Sequence, residues 1–277
     1  MLALFFFLNY FNNMTFNKNG CEIFTNIVSD KKPLSEILLE WELALNLDGF
    51  DYKKTKYSSE PLVSMWTHVK GERKKLLPLK HLKSALEILH SYYIKDIINK
   101  IVPDAKKITL LETIIFNKPP QDGGDLHWHQ DTSFFPLKPK KENKSWFITL
   151  WIPLDEVNEE NGAMQYLQKS FELGELASVD LHSGIQYSTK DSRKSISDIS
   201  INKNDILTGN SSPGDILVHN GLTLHRSLPN VSSNRNRRAL AFKFLVDDIL
   251  IDYKSGTSDI FVGEKDFENN ELLKSVC

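Results

Sequence analysis

The feature that most constrains this chain is a change of periodicity at Pro103 that does not reverse again before residue 246. Before it, residues 33–48 (PLSEILLEWELALNLD) repeat apolar positions at intervals of three and four behind a Pro-Leu-Ser opening, the spacing of an amphipathic helix. A second helix of this kind is predicted over residues 78–99. After it, Ile108-Thr-Leu-Leu-Glu-Thr-Ile-Ile-Phe116 is β-branched and aromatic, has no helix caps and stops at Asn117-Lys-Pro-Pro120, so it reads as a strand. Further strands are predicted over 126–131, 146–153, 163–167, 215–219 and 238–246, each bounded by Gly, Pro, Asn or Asp. Helices followed by strands argue against alternating βαβ units. The order predicts a mainly β fold: a double-stranded β-helix (jelly roll, cupin-like) core over 108–246 with flanking N-terminal α-helices.

A chain of 277 residues fits a single domain, 1–277, of this kind. Hydrophobic residues at 40% and charged residues at 25% argue against disorder and against a membrane protein. With 34 basic and 36 acidic residues there is no net field to draw the chain onto nucleic acid or an anionic bilayer, which leaves a small-molecule substrate as the expected partner. Two cysteines, Cys21 and Cys277, cannot build a disulfide framework, and a reducing, cytoplasmic location is expected. The opening run MLALFFFL has no Lys or Arg before it, no small-residue cleavage site after it, and is too short to span a bilayer. Residues 1–13 are expected to be either an early start ahead of Met14 or a short extension packed on the domain. Residues 183–212, rich in Ser, Asn, Asp and Lys without a period, read as a long lid loop.

The chemistry is concentrated in His127-Trp-His129-Gln-Asp131 and in His219-Asn-Gly-Leu-Thr-Leu-His225. Residues two apart in a strand point to one face, so His129 and Asp131 can offer a nitrogen and a carboxylate oxygen side by side. A histidine from a distant strand would complete a facial set of two His and one carboxylate, leaving half of an octahedral metal open. By the same alternation His127 shares a face with His129, and His219 is an alternative to His225. The Asn220-Gly221 turn signal between the latter two favours His225. Downstream, the basic strand Arg235-Asn-Arg-Arg-Ala-Leu-Ala241 supplies guanidinium groups suited to grip a carboxylate in two parallel hydrogen bonds. Trp146 and Phe147 read as barrel packing, and Lys138-Pro-Lys-Lys141 as a solvated turn.

Taken together these motifs resemble the phytanoyl-CoA dioxygenase family of Fe(II)/2-oxoglutarate-dependent oxygenases. The resemblance is carried by Ile114-Ile-Phe-Asn-Lys-Pro-Pro120, Leu126-His-Trp-His-Gln-Asp131, Phe134-Phe-Pro136, Trp151-Ile-Pro-Leu-Asp155, Glu160-Asn-Gly-Ala163 and residues 213–241. It implies His129, Asp131 and His225 as iron ligands. It implies Arg237 as the partner of the cosubstrate's far carboxylate, with Arg235 and Arg238 as alternatives, and Gln130, Trp151 and Ser227 as lining of the cosubstrate pocket. The cofactors implied are Fe(II), 2-oxoglutarate and O2, with ascorbate sustaining activity, and the reaction implied is hydroxylation of a small molecule with release of succinate and CO2. Related iron halogenases replace the carboxylate ligand with a small residue, and here Asp131 is present, which favours hydroxylation, with desaturation, epimerisation and ring closure as the alternative outcomes of the same chemistry. One departure is Leu167-Gln-Lys-Ser-Phe171 where the family usually has Pro-Gly-Ser-His, which implies a changed pocket wall. Substrate contacts are expected from the N-terminal helices and the 183–212 loop. The alternatives from other classes are a non-catalytic jelly-roll protein binding a metal or ligand, and a zinc hydrolase.

Overall fold

The structure, a computed structural model, describes residues 15–46, 62–68, 73–135, 137–142, 144–176 and 196–251. The opening run and the first part of the predicted lid, 183–195, lie outside the described residues. In chain order the strands are β1 (Cys21–Phe24), β2 (Leu62–Thr67), β3 (Arg73–Pro78), β4 (Ile108–Lys118), β5 (Leu126–His129), β6 (Leu137–Pro139) and β7 (Phe147–Pro153). They continue with β8 (Met164–Leu167), β9 (Ile206–Gly209), β10 (Ile216–Asn220), β11 (His225–Ser227), β12 (Arg237–Val246) and β13 (Ile249–Ile251). The α-helices are α1 (Phe16–Asn19), α2 (Lys32–Leu45), α3 (Lys83–Leu89) and α4 (Tyr92–Ile101).

The fold is a double-stranded β-helix. A large sheet in the order β1-β10-β7-β12-β4-β2-β3 faces a small sheet in the order β5-β11-β8-β9, and β13 pairs with β6. All neighbours run antiparallel except β2 and β4. Strand β12 shows how one sequence builds both faces. Leu240, Phe242, Phe244 and Val246 point outward into a core completed by Leu34, Ile37 and Trp41 of α2 and the isoleucines of α4. Ala239 and Ala241 point inward, against Trp151 and against Met164 and Tyr166 of the small sheet. The central strand β7 is therefore buried along its whole length, helices on one side and the barrel interior on the other.

Several expectations are corrected. The single helix predicted over 78–99 is two helices, because Ser91 takes an extended conformation and turns its hydroxyl back to Ile88 O at 2.6 Å instead of continuing the turn. Helix α3 has no capping side chain of its own. Glu40 of α2 accepts the Ser84 backbone N–H at 3.0 Å, tying the two helices together. Strands also precede Pro103: β1 pairs with β10, and β2 runs parallel to β4, partners too distant in sequence for a local pattern to announce. Residues 206–209, read as part of the loop, form β9 against β8. Lys138 and Pro139, read as part of a turn over 138–141, lie in β6 instead. Trp146 and Phe147 are buried packing, as expected. Among the described residues no helix is long and apolar enough to cross a membrane.

Trp41 is a fully buried anchor of the helical layer. Trp41→Ala is expected to cost about 3–5 kcal/mol through the cavity it leaves, read as a lower midpoint in thermal or urea unfolding. An unchanged midpoint would contradict packing of α2 on the large sheet.

Candidate active site

Strand pairing brings the first two candidate ligands together. His225 opens β11 directly opposite His129, the last residue of β5, and their rings lie 4.1 Å apart. The strand predicted to reach residue 131 ends at His129, and Asp131 begins a 3-10 turn, Asp131–Phe134. Because Gln130 keeps extended dihedrals (φ −110°, ψ 137°), Asp131 still emerges on the side of His129. One ligand atom from each of His129, Asp131 and His225 lies within 4.8 Å of the others, all three residues buried. The Nδ1 of each imidazole donates to a carbonyl two residues back, His129 to His127 O at 2.7 Å and His225 to Thr223 O at 2.9 Å. Those bonds fix the tautomer and aim both Nε2 lone pairs inward. Burial lowers the His129 pKa to about 4 and holds that of His225 well below the usual range, so both are neutral donors at pH 7.

His127 does not share this site. Between His225 and Ser227 the β5–β11 ladder slips, with Ser227 opposite Leu126. That bulge resets the alternation of β5, so Leu126 and His129, three apart, both line the interior. His127 is turned to solvent, where it meets Asp125 at 3.2 Å.

His219 is not one of the three converging residues either. Its Nε2 donates to Asp131 Oδ2 at 3.1 Å, and Thr149 Oγ1 donates to the same oxygen at 2.5 Å. Lys243 Nζ donates to the other, Oδ1, at 3.1 Å. Register explains the convergence. Lys243 lies opposite Glu112 on β4 and Thr149 on β7, and Thr149 lies opposite His219 on β10, which makes one inward polar row across four strands. Burial alone would raise the Asp131 carboxyl; the Lys243 ammonium, backed by the His219 hydrogen bond, holds it well below the carboxylate range. Sequence reading missed Thr149, Lys243 and Glu112. Their signal was a polar residue inside an otherwise apolar strand.

Further along the interior, Arg237 is 1% exposed and its Nε and Nη1 have no hydrogen-bond partner among the described residues. Its guanidinium lies 5.6 Å from the centre of the Trp151 ring. Between Arg237 and the row at Lys243 the inward positions of β12 are Ala239 and Ala241, small enough to leave space. Arg237, Trp151 and Ser227 line one cavity with His129, Asp131 and His225. Burial pushes Arg237 down to about 9, and it remains a cation at neutral pH. Opposite it, burial and the Arg237 charge push Lys118 down to about 6, so this lysine is a neutral donor, to Leu228 O at 2.7 Å. Arg235 instead bonds Glu160, and Arg238 bonds Asp155 at 2.6 Å, on the outside of the barrel.

Three further expectations are corrected. Gln130 points away from the cavity, opposite in the alternation to its neighbours. Its amide donates to Gly174 O and Leu222 O and accepts from Leu176 N, so it fastens loops rather than facing a cosubstrate. The departure at Leu167–Phe171 is no cavity wall. Ser170 Oγ accepts Leu224 N at 2.8 Å and so props the approach to His225. The N-terminal helices cover the outer face of the large sheet, and the cavity is bordered instead by His68, Phe116, Leu126 and Met164.

A jelly roll with two imidazoles and one carboxylate converging between its sheets defines a protein class: double-stranded β-helix proteins with a candidate facial metal site. The chain belongs to the phytanoyl-CoA dioxygenase (PhyH) family, which it matches over residues 48–239. It is 30% identical over 178 residues to a probable alpha-ketoglutarate-dependent hypophosphite dioxygenase of Stutzerimonas stutzeri. That match covers 60% of this chain and 57% of the relative, so the chain spans less than two thirds of it. Its fold is similar to that of SnoN, the non-heme alpha ketoglutarate dependent epimerase of nogalamycin biosynthesis, with TM-score 0.58 and 12% identity over 92% of this chain and 87% of that one. The non-heme monooxygenase ThoJ gives TM-score 0.61 and 15% identity over 92% and 91% of the two chains. EvdO2 from Micromonospora carbonacea var. aurantiaca gives 0.55 and 18% over 86% and 90%.

The buried neutral histidines make stability depend on pH. Unfolded, His129 and His225 take up protons near pH 6.5, whereas the folded protein resists them. The unfolded state thus binds more protons below about pH 6.5, and stability falls as pH drops from there toward about 4, the folded His129 value. The melting temperature of metal-free protein is expected to fall steadily from pH 6.5 to 5. A midpoint that rises on acidification over that interval would contradict the assignment.

Proposed function

We propose that this protein is a non-haem Fe(II)- and 2-oxoglutarate-dependent dioxygenase that hydroxylates a small molecule, releasing succinate and CO2. The observation that carries the reading is the buried guanidinium of Arg237, its Nε and Nη1 unpartnered, in the same cavity as the inward Nε2 atoms of His129 and His225 and the carboxylate of Asp131. A binding protein that only held a metal would have no use for a desolvated cation at the far end of that cavity, because an unpaired buried charge is costly. Membership of the family and the names of its relatives support the same reading.

Two nitrogens and one oxygen suit Fe(II), and a free guanidinium suits a carboxylate, so the residues fit both groups. When bound, Fe(II) with 2-oxoglutarate and O2 supplies an oxidant that converts C–H to C–OH while 2-oxoglutarate becomes succinate and CO2. The residues present the rest. His129, Asp131 and His225 would hold the metal from one side. Arg237, flanked by Trp151 and Ser227, would fix the far carboxylate of the cosubstrate; Ala239 and Ala241 leave room for its chain. The apolar border of Phe116, Leu126 and Met164 limits water at the reacting end. Asp131 supplies the carboxylate among the three converging residues, the group that related iron halogenases replace, and its presence favours hydroxylation.

With Fe(II), ascorbate and 2-oxoglutarate, purified protein is expected to release succinate, and Asp131→Ala to abolish it. Persistent turnover in Asp131→Ala would overturn the ligand assignment. Arg237→Ala is expected to raise the KM for 2-oxoglutarate by about ten- to a hundredfold, the worth of charge-assisted hydrogen bonds, with Arg235→Ala leaving it unchanged. The reverse pattern would move the anchor to Arg235.

A further inference from the structure

Lys243 is a buried charge to which the proposed reaction assigns nothing. It is 5% exposed, lines the cavity, and lies 3.1 Å from Asp131 Oδ1 and 3.7 Å from Glu112 Oε2, with its ammonium over the Phe135 ring at 5.2 Å. The two oxygens of Asp131 are not equivalent. Oδ2 receives both Thr149 and His219, so Oδ1, which faces His225 Nε2 at 3.7 Å, is the oxygen left for a metal. Lys243 occupies that same oxygen. The imidazoles opposite offer only lone pairs there, since each Nδ1–H is spent on a carbonyl. Three electron-rich atoms therefore converge at buried positions, and such an arrangement is unfavourable without a cation.

We infer that Lys243 is the resident counter-ion of the metal centre: it neutralises Asp131 in the metal-free protein and competes with the incoming divalent ion for Oδ1. Glu112, already within ion-pair distance, is the carboxylate left to it once Oδ1 is given up. The register of β12 against β4 and β7 builds this arrangement in, because it sets Lys243 between Glu112 and the Thr149 that anchors Asp131. Lys243 is thus a positioning residue with two opposed effects. It stabilises the fold before metal arrives and weakens the affinity for metal below what the three ligands alone would give.

This inference rests on the metal site proposed above, and the test separates the two. Mn(II), which does not turn over, is titrated into chelator-treated full-length protein by calorimetry, and thermal unfolding is followed with and without the ion. Lys243→Met is expected to bind Mn(II) about tenfold more tightly, a common size for coupling between two ligands of one site. Its metal-free form is expected to melt lower than wild type, so the gain in melting temperature on adding Mn(II) is larger. Lys243→Arg, which keeps the charge, is expected to match wild type in both. Unchanged or weaker Mn(II) binding by Lys243→Met overturns the inference, whereas absence of Mn(II) binding by wild type removes the metal site itself. Should Lys243→Met fold only with Mn(II) present, the affinity is read on Lys243→Gln, and a wild-type value there overturns the inference.

Discussion

The ionised carboxylate of Asp131, buried at the centre of the barrel, is the constraint around which the interior is arranged. Asp131 is 4% exposed, and a charge that deep survives only if its lone pairs are occupied and its field is answered. Thr149, His219 and Lys243 do so from three different strands. The cost of the buried charge is accepted because the same oxygen, set between two neutral imidazoles, is what a divalent metal needs.

The two faces of β12 link stability to chemistry. Outward, Leu240, Phe242 and Phe244 bury apolar area under the helices and hold the strand rigid. Inward, the sequence Arg237, Ala239, Ala241, Lys243 lays out a buried guanidinium, two small side chains and an ammonium beside Asp131 along one strand. Two-residue steps in a strand advance by about 6.5–7 Å, so the spacing between functions is set by the backbone itself. Burial beside Arg237 pushes Lys118 down to about 6, which leaves the guanidinium as the cation at that end.

How much of this was legible in the sequence varies residue by residue. His129, Asp131, His225 and Arg237 stand in ordered motifs whose chemistry needs those residue types, and the structure brings all four to one cavity. The fold class was legible because helical and strand periodicities occupy different halves of the chain. The polar row was not, since Glu112, Thr149, His219 and Lys243 are far apart in sequence and meet only through the register of β4, β12, β7 and β10. The shared face expected of His127 and His129, and the pocket position expected of Gln130, fail for one cause each: a bulge that shifts alternation in β5, and an alternation at residue 130 that family likeness overrode. Strands β1 and β2 escaped because their partners lie far along the chain.

The central claim is that metal and cosubstrate share the cavity between Arg237 and the His129–Asp131–His225 trio. An anaerobic crystal structure with Fe(II) and 2-oxoglutarate tests it most directly. The account predicts the ion bonded to Nε2 of His129, Nε2 of His225 and Oδ1 of Asp131, with the far carboxylate of 2-oxoglutarate on Arg237 Nε and Nη1. An ion held elsewhere, or a cosubstrate whose carboxylate avoids Arg237, would contradict it.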